Sequence, residues 1–598
     1  MSDANPPELS PYRDNAIFLR REILIRVAKA FLEHRLVESV DRIALEMRPR
    51  NAKAIFRCCI YRERAILRLR TLAALGFRVE EDEEERPLRE YAERALQRTA
   101  PQPPVMTVID IACHSCPKSR YQVTDLCQGC LAKSCFVSCR FDAITIDGSG
   151  RAMIHPDRCR KCGRCRDACP YSAITLLRVP CEEACPVGAI RRNERDVAQI
   201  DFDLCTGCGR CMRRCPFGAI MERSQILDVL RAIEATDQAS HSNAAVPPWK
   251  TTDSADGPSP RKIATAVRPR SERSPAEADG SERPIVAIVA PAIVGQFPVP
   301  WPRVFGALRK LGFDDVWEVA IGADETARRE AAEFVQRMRR GDRLMTSSCC
   351  PAYIATVQRH LPELQPFVSD TGTPMHYTAK RVRDRFPNAI VVFIGPCVAK
   401  RFEGMRDPLV DYVLTFEELG TLLVAAEIEV AECEEYRPKS GSAYGRNFAV
   451  TGGVAAAIAH AGTLEGTREE TSEETSEETS EGTREGTSEE TAEETSEGTR
   501  EGTSGPNESR ESDRNGTPPL RPICINGLSP VAIRELRSYA TKTCPGNLVE
   551  VMACEEGCVG GAGTLGNPKK SAAEIRKFLS LKEDTKSTDD CDSKPSAQ

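Results

Sequence analysis

No run of about 18 apolar residues occurs anywhere in this 598-residue chain, which predicts no membrane-spanning helix. Nor does an apolar segment follow the start. Met1 to Asn15 is polar and the first apolar run is interleaved with Arg and Glu, so no secretory signal is expected. No basic stretch is interleaved with aromatics, which removes the usual sequence sign of nucleic-acid binding. Acidity is lacking too, once one segment is set aside. The formal charge is −6, but ten tetrads from Thr463 to Gly502 hold 15 Glu and 3 Arg, leaving the remainder about +6. A mild positive excess suits an acidic electron-carrier partner.

What the chain has in abundance is cysteine: 27 residues, 16 of them between Cys113 and Cys215. Without a secretory signal, that density points to metal-bound thiolates in a reducing cytoplasm and not to disulfides. The clearest pattern is Cys159-x-x-Cys162-x-x-Cys165-x-x-x-Cys169-Pro170, repeated as Cys205-x-x-Cys208-x-x-Cys211-x-x-x-Cys215-Pro216. This is the spacing of bacterial two-cluster ferredoxins, in which three thiolates wrap one cubane and the fourth reaches the other cluster. It predicts one 4Fe-4S cluster on Cys159, Cys162, Cys165 and Cys215, and a second on Cys205, Cys208, Cys211 and Cys169. Structural zinc prefers paired C-x-x-C knuckles and fits this pattern poorly. Cys127, Cys130, Cys135 and Cys139 form a looser copy, Cys181 and Cys185 end in another Cys-Pro, and Cys113 and Cys116 are a further pair. These eight could hold two more cubanes, with pairings that spacing leaves open. His114 reads as an exposed loop residue. Clusters in series move single electrons towards a buried site, so redox chemistry is expected downstream.

At this length one core cannot serve the whole chain. The reading is an α+β multidomain protein. Residues 1–105 form an N-terminal helical region, with Leu24, Val27, Ala28, Phe31 and Leu32 at helical spacing. A ferredoxin-type module of two to four clusters spans 106–225, and a flexible linker rich in Ser, Pro, Ala and Asp spans 226–283. Short apolar β-rich runs then alternate with amphipathic helices, which predicts an α/β domain with mainly parallel strands in two parts, 284–462 and 516–582. Strands are expected at Pro284 to Ala290 and Ala389 to Ile394, and a helix over Glu325 to Arg339. Between the two parts, the Thr/Ser/Glu tetrads of 463–515 stack Glu on Glu at i,i+4 and contain almost no apolar residue, so disorder is expected, as for the tail 583–598.

Three peptides in the α/β domain carry the chemistry. The first is Thr346-Ser347-Ser348-Cys349-Cys350-Pro351, the second Pro396-Cys397-Val398-Ala399-Lys400, the third Glu550-Val551-Met552-Ala553-Cys554-Glu555-Glu556-Gly557-Cys558. Four thiolates are available for a cluster and Cys349 is left over. They meet only if the fold gathers three loops, as α/β folds do at the carboxyl ends of strands.

With these motifs in this order, the sequence resembles the iron-only (FeFe) hydrogenases. The resemblance implies that Cys350, Cys397, Cys554 and Cys558 hold the 4Fe-4S part of an H-cluster. Cys558 would bridge to a two-iron subcluster carrying CO, cyanide and a dithiolate bridge. Lys400 would donate to a cyanide, Met552 would pack beside the two-iron unit, and Cys349 would relay protons. The outward relay would run through Glu330, Ser369 and Glu333; the i,i+3 spacing puts both carboxylates on one helix face. The implied function is a ferredoxin-linked, cytoplasmic, anaerobic hydrogenase with H2 and protons as substrates and dependence on maturation proteins, with neither nucleic acid nor membrane as partner. Gly395 before Pro396, Ala352-Tyr353 after Pro351 and Gly561 to Pro568 near the end depart from the better-known members and look like the branch called group B. Two rival readings are a hydrogen sensor and a non-catalytic iron–sulfur carrier or assembly relative.

Overall fold

The most apolar segments of the chain become its central strands. In the computed structural model, which describes residues 14–55, 57–83, 86–113, 116, 120–239, 283–463 and 518–580, strand Ile285–Val289 is buried on every side. It lies between Asp315–Glu318 and Ile390–Gly395, and Tyr412–Thr415 completes a four-stranded, all-parallel sheet. A second parallel sheet has Leu548–Met552 in the middle, between Met345–Thr346 and Pro522–Asn526. Strands buried on both faces need continuous apolar sequence, which is why these segments lack alternation. The connecting helices Trp301–Leu311, Pro351–His360, Pro374–Arg385 and Pro530–Thr541 each carry proline in the first turn, where its missing N–H costs nothing. The helix expected over Glu325 to Arg339 begins earlier, at Ala320. Its Gly322 allows close packing on Pro374–Arg385, since a Cβ there would lie 2.1 Å from the Pro374 carbonyl oxygen.

The linker expected over 226–283 is corrected at its start. Ile226–Ala239 is a helix with Ile226, Leu227, Val229, Leu230 and Ile233 buried. The Ser- and Pro-rich composition that drew the boundary belongs only to the residues beyond Ala239, and 240–282 lies outside the described residues. The segment 464–515 and the tail 583–598 also lie outside them, as does His114. The N-terminal helices do not stand apart. Asn15–Leu32, capped by the Asp14 carboxylate accepting from the Ala16 amide at 2.9 Å, buries Leu19, Ile23, Val27 and Phe31 in one core with the four-stranded sheet. It runs along helix Phe416–Ala425, where Arg20 and Arg21 both pair with the buried Glu417, Arg21 at 2.7 Å.

The cysteine-rich region folds as one ferredoxin inside another. The outer unit pairs Met106–Val108 antiparallel with Ile220–Glu222 and contains the hairpin Ile190–Arg192/Ala198–Ile200. The inner unit repeats this plan, with Arg120–Val123 against Ile174–Leu177 and the hairpin Ile144–Ile146/Ala152–Ile154. Its own small core contains Tyr121, Ile144, Ala152 and Ile174. The inner unit enters the outer one between Cys116 and Cys181.

Removing one side of a buried ion pair leaves an uncompensated charge. Glu417→Ala should therefore destabilise the junction of the N-terminal helices by about 3 kcal/mol. The expected readouts are a lower Tm and faster limited proteolysis between Asp14 and Gln97; unchanged proteolysis would contradict the shared core.

Candidate active site

Both parallel sheets end at the same place. Cys350 caps the helix Pro351–His360 just after strand Met345–Thr346, Cys397 follows Ile390–Gly395, and Cys554 and Cys558 follow Leu548–Met552. All four, with Cys349, Lys400 and Met552, line one cavity with about 860 Å³ of empty space, its mouth included. The turn delivering Cys558 passes through Gly557 at φ 83°, a conformation that glycine adopts without strain.

Every one of these thiols is free. Burial pushes Cys397 and Cys558 up to about 12 and Cys554 well above the ordinary thiol range, and the neighbouring sulfurs add to it. Thiolates so placed need a compensating cation. Among the described residues, however, no three ligand side chains converge tightly enough for a single metal ion. Four thiols around an almost wholly apolar cavity suit a polynuclear cluster, which shares its charge over several thiolates.

The residues expected to form a relay are brought together. Ser369 donates to Glu333 Oε2 at 2.7 Å, the Thr371 hydroxyl to the same oxygen at 2.8 Å, and the Asp370 amide to Oε1 at 2.9 Å. Burial alone would raise Glu333; these donors and Arg337, at 2.7 Å, hold it below the usual carboxylate range. Glu330, one helical turn earlier, is completely buried and burial pushes it up to about 7, against the opposing pull of the Ser348 amide and Ser369. Its Oε1 accepts from the Ser348 amide at 3.2 Å, while Oε2 has no hydrogen-bond partner. Burial drives the Cys349 thiol well above its ordinary value, and Glu330 is its strongest electrostatic neighbour. Sequence reasoning missed Ser348, Thr371 and Arg337. Only the i,i+4 spacing of Arg337 from Glu333 signals any of them. Lys400 is not free in the cavity wall: Glu403, three residues on, takes its ammonium at 2.7 and 2.9 Å.

The cluster ligands sort differently from expectation. Cys113, Cys116, Cys181 and Cys215 line one small cavity, and Cys139, Cys159, Cys162 and Cys165 line another. Cys135 has Cys169, Cys130 and Cys127 as its electrostatic neighbours, and Cys185 adjoins Cys205, Cys208 and Cys211. Cys215 is therefore not with Cys159, Cys162 and Cys165, nor Cys169 with Cys205, Cys208 and Cys211. The exchange of fourth ligands still holds, but within each nested unit: Cys139 trades with Cys169, and Cys185 with Cys215.

The outer unit is locked to the α/β domain beside the cavity. Cys208 lines the cavity and is an electrostatic neighbour of Cys554. A Cβ on Gly209 would lie 2.5 Å from that of Ala562, so only glycine permits this approach. His360 bonds the Leu204 carbonyl at 2.8 Å, Arg359 reaches those of Phe202 and Cys205, and Arg213 donates to the Gly561 carbonyl at 2.7 Å.

Comparison with known families decides what this domain is. Residues 283–562 match the model described as iron only hydrogenase large subunit, C-terminal domain. The chain carries an iron-only hydrogenase domain. Residues 126–173 match a 4Fe-4S dicluster domain, which coincides with the inner unit, and 177–226 match the LdpA Fe-S cluster-binding domain. Iron–sulfur clusters and an H-cluster are the cofactors of these domains. Iron hydrogenase 1 of Clostridium pasteurianum is 33% identical over 177 residues, 26% of this chain and 30% of that protein. The cytosolic Fe-S cluster assembly factor NAR1 of Eremothecium gossypii is 24% identical over 175 residues, 29% of this chain and 36% of that protein. The chain thus aligns with about a third of the length of each. The solved FeFe-hydrogenase HydA1 of Chlamydomonas reinhardtii is matched over 51% of this chain and 86% of that chain, at 24% identity and a TM-score of 0.36. Among the described residues no helix is long and apolar enough to cross a membrane.

The raised Glu330 has a thermodynamic sign. The folded hydrogenase domain keeps the proton that the unfolded chain releases above about pH 4.5, so stability falls as pH rises from there through about 7. Glu330→Gln should flatten that fall by up to about 3 kcal/mol, read as Tm between pH 5 and pH 8; an unchanged pH profile would contradict it. For the ligand sets, Cys139→Ala with Cys169→Ala should remove both inner clusters by iron content and leave the electron paramagnetic signals of the outer pair intact. Loss of an outer signal would restore the interleaved pairing.

Proposed function

We propose that this protein is a hydrogenase of the group B type, interconverting two protons and two electrons with H2. The observation that carries the reading is Cys349: a half-buried thiol in the wall of a four-cysteine cavity, with the neutral-leaning Glu330 as its strongest electrostatic neighbour. In this reading Cys350, Cys397, Cys554 and Cys558 would hold the H-cluster. Bound there, that group would supply the metal centre at which electrons and protons combine.

The chain's own residues supply the rest. Glu333, charged and half-buried, takes protons at the surface, where Arg337 also reaches the exposed Asp370. The Ser369 hydroxyl hands a proton on towards Glu330, whose pKa near neutrality lets it accept and release in turn. Cys349 carries the proton the last step into the cavity. Lys400, held by Glu403, presents a fixed ammonium to anionic ligands, and Met552 and the alanines around it keep water out. Electrons come through the outer ferredoxin unit, with Cys208 beside Cys554. A ferredoxin-like donor, a cytoplasmic setting and dedicated maturation proteins belong to the same reading.

Infrared spectroscopy of the chain matured with the two-iron cofactor tests it. CO and cyanide stretching bands and hydrogen evolution from reduced viologen are expected. Full cubane loading without such bands would instead favour a non-catalytic role like that named for the assembly-factor relative. Cys349→Ala should keep the bands and lower turnover by about 100-fold or more; normal turnover would remove Cys349 from the relay.

A further inference from the structure

The inner ferredoxin unit is basic. Residues 120–177 hold nine Lys and Arg against five Asp and no Glu, so this short segment carries most of the roughly +6 that the chain has outside the Thr463–Gly502 tetrads. Five of those cations are threaded through the ligands of a single cluster, Arg158-Cys159-Arg160-Lys161-Cys162-Gly163-Arg164-Cys165-Arg166. Arg166 is neutralised by Asp167 at 2.7 Å, and Arg151, further off, lies 3.5 Å from Asp125. Arg158, Arg160, Lys161 and Arg164 are exposed and form no ion pair or side-chain hydrogen bond among the described residues. Cys162, a ligand of that cluster, is itself exposed. Phe141, 44% exposed, borders the same cluster cavity with Arg160 and Arg164.

Unpaired cations around a surface-exposed metal cluster, with an apolar side chain among them, describe a docking face for a charged redox partner. Like charges crowded this way repel one another, and an acidic surface would relieve the repulsion while raising the encounter rate. A partner that only neutralised charge, such as nucleic acid, would leave the exposed cluster without a use. We propose that this face is where the chain receives electrons from a small acidic electron-carrier protein with its own redox centre. The face puts the entry point on the inner unit, at the cluster of Cys139, Cys159, Cys162 and Cys165. The step is a one-electron transfer: the reduced carrier is oxidised, the cluster passes from the 2+ to the 1+ state, and no bond or proton changes place. This deepens the partner part of the proposed function, yet depends only on the clusters and not on hydrogen turnover.

The test is stopped-flow reduction of the cluster-loaded full chain, with a dithionite-reduced, acidic two-cluster bacterial ferredoxin as the probe. Replacing Arg158, Arg160, Lys161 and Arg164 together by Glu should lower the second-order rate constant at low salt by about tenfold or more and remove its decline with ionic strength. Reduction by methyl viologen, which needs no docking face, should stay within about twofold, consistent with the charge effect being on encounter. An unchanged ferredoxin rate and salt slope would overturn the proposal, as would an equal loss with viologen. Should the Glu variant fail to load its clusters, the corresponding Gln variant takes its place, with a drop of about threefold or more expected and an unchanged rate again overturning it. Because the readout is cluster reduction, a chain that evolved no hydrogen would still pass or fail this measurement on its own terms.

Discussion

A thiolate in an apolar interior is stable only beside positive charge, and that constraint organises this protein. Loss of solvent around the sulfurs of Cys397, Cys554 and Cys558 makes each resist ionisation, and each makes ionisation of the next harder. Iron relieves all of them at once. The fold's task is therefore to hold separate loops against one another until the metal arrives. It does so with two parallel sheets whose carboxyl ends face a common cavity, since strand ends are where a chain can leave a rigid element and still be fixed by it. The proline after Cys350 and the one before Cys397 stiffen the backbone where it leaves the strand.

The same low-dielectric setting separates two carboxylates that the sequence makes look alike. Glu330 and Glu333 share a helix face, but one has no cation and one unpaired oxygen, while the other has Arg337 and three further donors. Their affinities for a proton are driven apart, and the gradient runs from a charged acceptor near the surface to a neutral-leaning one inside. Two carboxylates of equal affinity would have no such direction built into them. Ser369 donates to Glu333 at 2.7 Å and accepts from the Thr371 amide at 3.1 Å, since a hydroxyl does both.

Much of this was legible in the residues. The structure gathers the three cysteine peptides, Lys400 and Met552 around one cavity and sets the two glutamates on one helix, because short motifs and helical periodicity leave local marks in the sequence. What escaped is what only tertiary pairing decides. The outer ferredoxin motif is split: Cys113-x-x-Cys116 and Cys181-x-x-x-Cys185-Pro186 are its two fragments, with the inner unit between them. Two intact runs, at Cys159 and Cys205, then looked like natural partners. Spacing records which three thiolates wrap one cubane, but the fourth ligand is fixed by strand pairing, here Met106–Val108 with Ile220–Glu222 and Arg120–Val123 with Ile174–Leu177. The helix Ile226–Ala239 was lost for another reason. A polar, proline-rich stretch directly after it swamps the composition of any window long enough to average.

Nesting explains how a second dicluster unit can be added without loosening the contact with the hydrogenase domain. A dicluster unit added at a terminus would need its own linker and would leave its orientation to chance. Inserted between Cys116 and Cys181, the inner unit leaves and returns through adjacent antiparallel strands, so the outer unit experiences little more than a closed hairpin loop. Closure entropy grows only slowly with the length of the inserted segment, so the outer unit loses little stability. Both ends of the insertion adjoin ligands of one cluster, Cys116 and Cys181, which ties the inner unit to the electron path at the point of entry. The opposite side of the outer unit, at Cys208 and Gly209, keeps its contact with the hydrogenase domain untouched. At this insertion site added clusters extend the row of cysteine sets and leave the contact with the hydrogenase domain uninterrupted.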